Sequence, residues 1–185
     1  MDRPTPLTGE HLALDLVNTR PAGHDVLLDP VGAHAWLVTQ ADRLPHPAGP
    51  LSDSDAAGLR AVRAYVEAAL LPAVRGDRPP KATLVALTLA QRDAPGHDEL
   101  GWDGTRVTVT PRREGPYLAQ LLATLAAAAG DLLSGPELGR IRQCQGPDCT
   151  LLFIPANPRR RWCSPAVCGN RVRVARYYQR HKLPS

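Results

Sequence analysis

Cys144-Gln145-Gly146-Pro147-Asp148-Cys149, and then Cys163-Ser164-Pro165-Ala166-Val167-Cys168, contain every cysteine of this 185-residue chain. Each pair has a C-x4-C spacing that can form one knuckle around a shared ion. Four thiolates suit tetrahedral zinc, and a filled four-coordinate shell leaves no position for a reacting water. The pattern is therefore that of a structural site. The segment around it is too short and too polar to fold on an apolar core alone. Gln145 to Asp148 has a turn composition.

Two other chemistries use the same residues. Disulfides allow three pairings among four cysteines and require an oxidising compartment. Met1 to Val17 has no basic leader and no long apolar stretch, so no secretory signal is expected. An iron–sulfur cluster also takes four thiolates. Ligand type and compartment together favour zinc, and the residues alone leave the alternatives open.

Charge divides the chain at the same place. Up to Leu138 there are 12 Lys+Arg against 17 Asp+Glu, net −5; from Gly139 onward there are 10 against 1, net +9. A mildly acidic body thus carries a strongly basic end, which points to a polyanionic partner. A solvated charge run is the plainer reading, but these charges sit beside a metal knuckle. No apolar run of membrane length is expected, and no membrane partner. Abundant Ala, Arg and Pro with only two Lys fits a GC-rich bacterial source.

The body reads as mainly helical. Residues 10–19 are expected to form a strand, because Leu12, Leu14 and Leu16 alternate with Ala13, Asp15 and Val17. Asp29-Pro30 is an N-cap followed by proline at the first helical position, opening a helix to about Ala41 around Trp36. Ser52 or Asp53 caps the next, whose apolar face is Leu59, Val62, Val66, Ala69 and Ala73, with Gly76 as its stop. Pro79-Pro80 opens another helix through Leu87 and Gln91. Asp103-Gly104 predicts a hairpin ahead of Val107 and Val109. Tyr117 to Leu133 is apolar enough to lie at the centre of the body. Ser134-Gly135-Pro136 is the expected boundary.

Catalytic signals are few. There is no glycine-rich phosphate loop and no nucleophile elbow. His11, His24, His34, His46 and His97 are scattered and read as surface or loop residues. Asp15 is the oddest residue, a carboxylate in an apolar stretch. Ligand or partner binding is one explanation, and an inward Asp bonding backbone amides is the commoner one.

In the basic end, Leu151 to Ile154 is a short apolar stretch suited to a strand or to packing under the knuckle. Ser164-Pro165 reads as N-cap and first residue of a final helix to about Arg180. Four thiolates around zinc carry a formal charge of −2, which a helix N-terminus and nearby arginines stabilise. A uniform helical wheel puts Val167, Val174 and Tyr178 on one stripe and Arg173, Arg176 and Arg180 opposite. Arg171 falls near the stripe. It is expected to turn inward to carbonyls, Asp148 or the cluster, and with Ser164 to support the metal site. Arg159, Arg160, Arg161, Arg173, Arg176 and Arg180 are the expected nucleic-acid contacts. Trp162, Tyr177 and Tyr178 either stack on bases or close a small core; the second is the commoner use.

The run from Arg160 to Arg171, with Cys168-Gly169-Asn170-Arg171 at its end, resembles the CGNR zinc finger family. Cys144, Cys149 and the basic helix after Cys168 match that layout. Leu14-Asp15-Leu16-Val17-Asn18-Thr19 resembles the opening of the ABATE domain. Two departures from the finger pattern stand out, at Phe153 to Asn157 and at Pro165, where Met is usual. The resemblance implies a stress-linked bacterial transcription regulator with a zinc-held DNA-binding end.

The expected fold is α+β: a mainly helical domain with a small hairpin over 1–135, and a four-cysteine finger ending in a basic helix over 136–185. The expected function is zinc-dependent, non-enzymatic DNA binding in the cytoplasm. The body would dimerise or sense a small-molecule effector. The alternatives are a zinc-stabilised module docking an acidic protein, and an enzyme body with the finger as scaffold.

Overall fold

A computed structural model describes residues 8–46 and 49–181. Five helices and a hairpin make the body: α1 (Leu12–Val17), α2 (Pro30–Thr39), α3 (Asp53–Val74), α4 (Lys81–Arg92), β1 (Gly96–Trp102), β2 (Val107–Arg113) and α5 (Tyr117–Ser134). The basic end adds β3 (Arg142–Gln143), β4 (Leu152–Phe153), a π-helical turn at Pro165–Gly169 and α6 (Asn170–His181). The architecture is α+β, with two separate two-stranded antiparallel sheets.

Local sequence explains most element ends. The side chain of Asp29 accepts from the Gly32 amide at 2.7 Å, with Pro30 as the first helical residue of α2. Gly32 is required, since a Cβ there would lie 2.2 Å from the Val26 carbonyl oxygen. Ser52 and Asp55 form a reciprocal capping box on α3, with the Ser52 amide donating to Asp55 at 2.7 Å. Just past the C-cap of α3, Gly76 takes φ +81, the left-handed conformation that suits glycine. Across the hairpin turn, Asp103 accepts from the Thr105 and Arg106 amides at 2.9 and 3.0 Å. These bonds, led by the Thr105 hydroxyl, hold the Asp103 carboxyl down at about 2.

Residues 10–19 depart from expectation. They contain α1, not a strand. Leu12, Ala13, Leu14, Asp15 and Leu16 are all buried. An element buried all round carries neither a 3.6 nor a 2.0 period, so the alternation of leucines was no guide. α1 packs against α3 and α5, and its leucines join Trp36, Leu59, Val66, Leu121, Leu125 and Leu132 in one core. At 18 residues and mean hydropathy 1.3, α5 has the length and composition of a membrane span, contrary to expectation. Its Leu121, Leu125, Ala126, Ala129 and Leu132 are buried in the body core.

One ion pair sits inside this core. Arg63 is only 3% exposed and donates both terminal nitrogens to Asp25 at 2.6 Å, and one of them also to Thr19 at 2.8 Å. Burial opposes charge on Asp25, but the Arg63 bonds and charge outweigh it and lower its pKa. Removing the carboxylate strands a buried cation. Asp25→Ala is therefore expected to lose about 3 kcal/mol in chemical denaturation. The wild-type contribution should be present above the unfolded carboxyl value of about 3.9 and fade as pH falls through the lower folded value.

Candidate metal centre

Cys144 comes directly after β3, and its amide donates to the Leu151 carbonyl at 2.9 Å, closing the β3–β4 hairpin around the first knuckle. Asp148 reverses the chain at φ +57. Gly146 passes beneath the cluster, and a Cβ there would lie 3.3 Å from the Cys168 sulfur. The second knuckle opens α6. Ser164 caps it, accepting from the Val167 amide at 3.2 Å as the sequence implies.

The four sulfur atoms lie within 4.8 Å of one another, with separations of 3.8 Å for Cys149–Cys163 and 3.5 Å for Cys163–Cys168. Zinc–sulfur bonds of about 2.3 Å put tetrahedral sulfurs about 3.8 Å apart, so the set fits. No disulfide links them. The amides of Cys163 and Gly146 point at the Cys144 sulfur from 3.3 and 3.4 Å. Burial opposes its ionisation, but those amides prevail and lower its pKa. Burial and the adjacent thiols raise Cys149 to about 11 and push Cys163 upward as well. The donor set thus calls for a cation to hold all four as thiolates.

The finger has its own small core, in which Phe153 is fully buried among Cys144, Leu151, Cys163 and Cys168. Trp162 packs on its edge. The glycine of Cys168-Gly169-Asn170-Arg171 is explained by this packing, because a Cβ on Gly169 would meet the indole at 2.9 Å.

Among the described residues, three polar pairings bind the finger into the body. The Asn18 side chain donates to the Leu152 carbonyl and accepts from the Leu152 amide, both at 2.8 Å and both buried. Glu10 accepts from the Ile154 amide at 3.0 Å. Glu10 also pairs with Arg160 at 3.4 Å. Ile141 and Leu152 belong to the body core. Sequence reasoning missed Asn18 and Glu10, since nothing local marks a partner 134 or 144 residues away.

The stretch Leu14-Asp15-Leu16-Val17-Asn18-Thr19 divides between core filling and polar contacts. Leu14 and Leu16 fill the core. Asp15 accepts from the Gly9 and Glu10 amides at 3.0 and 3.1 Å and from Gln40 and Arg43. Asn18 holds β4 and Thr19 receives Arg63. Residues 10–136 match the family model described as "ABATE: Putative stress-induced transcription regulator". The chain belongs to the ABATE family. Residues 140–181 match the CGNR zinc finger model, which with the four-cysteine geometry makes this a zinc site. No curated protein matches the chain. Neither family description names an enzyme.

The structure sorts the arginines differently from a uniform wheel. The Gly169 amide bonds to the Ser164 carbonyl at 3.0 Å, five residues back, so the turn is π-wound. One extra residue in a turn shifts the phase of the rest of the helix by about 100°. Val172 is consequently the buried residue of α6, while Val167, Val174 and Tyr178 are exposed. Relative to Val172, Arg173, Arg176 and Arg180 lie on one flank and Arg171 on the other. Arg171 is exposed and reaches the Pro147 carbonyl of the first knuckle at 3.5 Å, a carbonyl partner of the kind the sequence implies. Arg180 folds back to the Arg176 carbonyl at 3.3 Å.

Arg159, Arg160, Arg161, Arg173 and Arg176 line one cleft of about 610 Å³, with Asn157 and Trp162. Arg160 is committed within the protein. It donates to the Trp162 carbonyl at 3.0 Å and to the Cys163 carbonyl, and its guanidinium covers Phe153 at 4.6 Å. Tyr177 and Tyr178 are exposed, Tyr177 stacking on His181 with centroids 4.1 Å apart.

Two outcomes are expected. Elemental analysis should find one zinc per chain, released as acid protonates the thiolates, and chelation should loosen the body along with the finger because they share core residues. Asn18→Ala should retain zinc but lose roughly 2–4 kcal/mol, since a buried amide and carbonyl are left unpaired. Hydrogen exchange at the Leu152 amide should accelerate in that variant.

Proposed function

We propose that this ABATE protein is a transcription regulator that binds duplex DNA through the arginine cleft of its zinc finger, within the cytoplasm. The observation that carries the reading is convergence. Arg159 and Arg161 from the loop and Arg173 and Arg176 from α6 meet at one cleft although the sequence separates them. Guanidinium groups fork onto phosphate oxygens, and such contacts position a protein on a duplex. Arg180 extends the same flank of α6, while Arg160 and Ser164 support the site from behind. The body, 1–135, would act as the dimerisation or effector-sensing part and 136–185 as the DNA-contacting part.

One short helix gives few base contacts, so phosphate attraction should dominate and affinity should fall steeply with salt. Each neutralised phosphate contributes about −0.9 to the log–log slope. Replacing Arg161, Arg173 and Arg176 together with Ala should flatten the slope by about two to three units. Zinc content and melting should stay as in the wild type, because these side chains serve no buried contact. Fluorescence anisotropy across a salt series measures it. Unchanged affinity and slope would remove the cleft from the interface. Binding to an acidic polypeptide but not to DNA would favour the protein-docking alternative.

A further inference from the structure

The body hairpin is amphipathic, and nothing among the described residues covers its apolar face. Register pairs Leu100 with Val109 and Trp102 with Val107. Neighbouring pairs alternate faces, so these four side chains share one face. Their exposures are 70, 57, 66 and 62%. The opposite face carries His97, Arg112, Glu99, Thr110 and Thr108, with Arg112 bonded to Glu99 at 2.6 Å. Clean alternation of this kind marks a sheet built to bury one side. The two strands pack chiefly on each other, and an isolated two-stranded hairpin is marginal in water.

We propose that this face is the contact between two copies of the chain. Four side chains at these exposures present about 500 Å² per copy. A two-fold contact that covers all of it removes at most about 1,000 Å², which reaches the floor for a specific interface. Face-to-face burial matches apolar with apolar in a closed, self-complementary pair. The nearest charges on that face, Asp98 and Arg113, lie at the base of the ribbon, outside the patch. Pro111 has no amide to donate, which blunts the β2 edge against strand addition. Its four side chains carry no cation, and their one donor is the Trp102 indole N–H, so the patch lacks the charge that a phosphate backbone selects. The dimer surface rests on the dimerisation arm of the proposed function and is independent of the arginine cleft.

The test is sedimentation of the full-length zinc protein between about 1 and 100 µM, without DNA, a range that brackets what small interfaces reach. The wild type should dimerise. Leu100→Glu should weaken the dimer at least 100-fold, because a charge would be buried unpaired. Thr108→Glu, adding the same charge on the polar face, should leave it intact; both variants should keep zinc and, at concentrations where the wild type is monomeric, its melting. In the wild type, amides from Leu100 to Val109 should exchange more slowly as concentration rises, a readout that needs no variant. A monomeric wild type at all concentrations would overturn both the surface and the dimerisation arm. A dimer indifferent to Leu100→Glu would overturn the surface alone, and neither result bears on DNA affinity.

Discussion

The placement of the finger depends on one side-chain amide. Asn18 presents a donor and an acceptor in the geometry of a peptide group, and the β4 backbone at Leu152 receives both. A carboxamide can do this where a carboxylate or hydroxyl cannot, because both partners are neutral and fixed in direction. The contact reads backbone only, so the identity of the finger residue at that point does not matter to it. Glu10 repeats the device two residues further along, at the Ile154 amide, and adds a charge for Arg160. The body therefore holds the finger by its main chain, by one guanidinium and by the Ile141 and Leu152 side chains in the shared core.

That guanidinium links three levels of the structure. Arg160 holds the carbonyls of Trp162 and Cys163, lies over Phe153 in the finger core, and faces Glu10 in the body. A four-thiolate zinc site is formally anionic, and here it lies at the opening of a helix and beside a fixed cation. Part of the strong positive charge of this end therefore balances the site itself. Arg140 and Arg142 bond the carbonyls of Pro155 and Pro158 and brace the loop after β4. Arg159, Arg161, Arg173 and Arg176 line the cleft.

Signals confined to a few neighbouring residues were legible in the sequence. Asp29-Pro30, the Ser52–Asp55 box, Asp103-Gly104 and the two cysteine pairs each declare a cap, a turn or a ligand set by local chemistry. Asp15 was also readable, as an inward carboxylate bonding backbone amides. α1 was not, because burial on every side erases the period that identifies a helix. The docking of Asn18 and Glu10 was not, because no pattern in the chain names a backbone partner more than a hundred residues away. Arg160 and Arg161 are adjacent and chemically identical, so only their surroundings separate a brace from a surface charge.

The π-wound turn at Pro165–Gly169 has a consequence for how this finger diverges. It fixes the rotational phase of α6 with respect to the cysteines. Losing one residue there would restore an ordinary helical turn and swing every later side chain by about 100°. Arg173 and Arg176 would then leave the cleft without any change in their own identity. A single codon inserted or deleted in this turn is thus a coarse steering step, able to re-aim an unchanged basic helix in one event where point substitutions would need several.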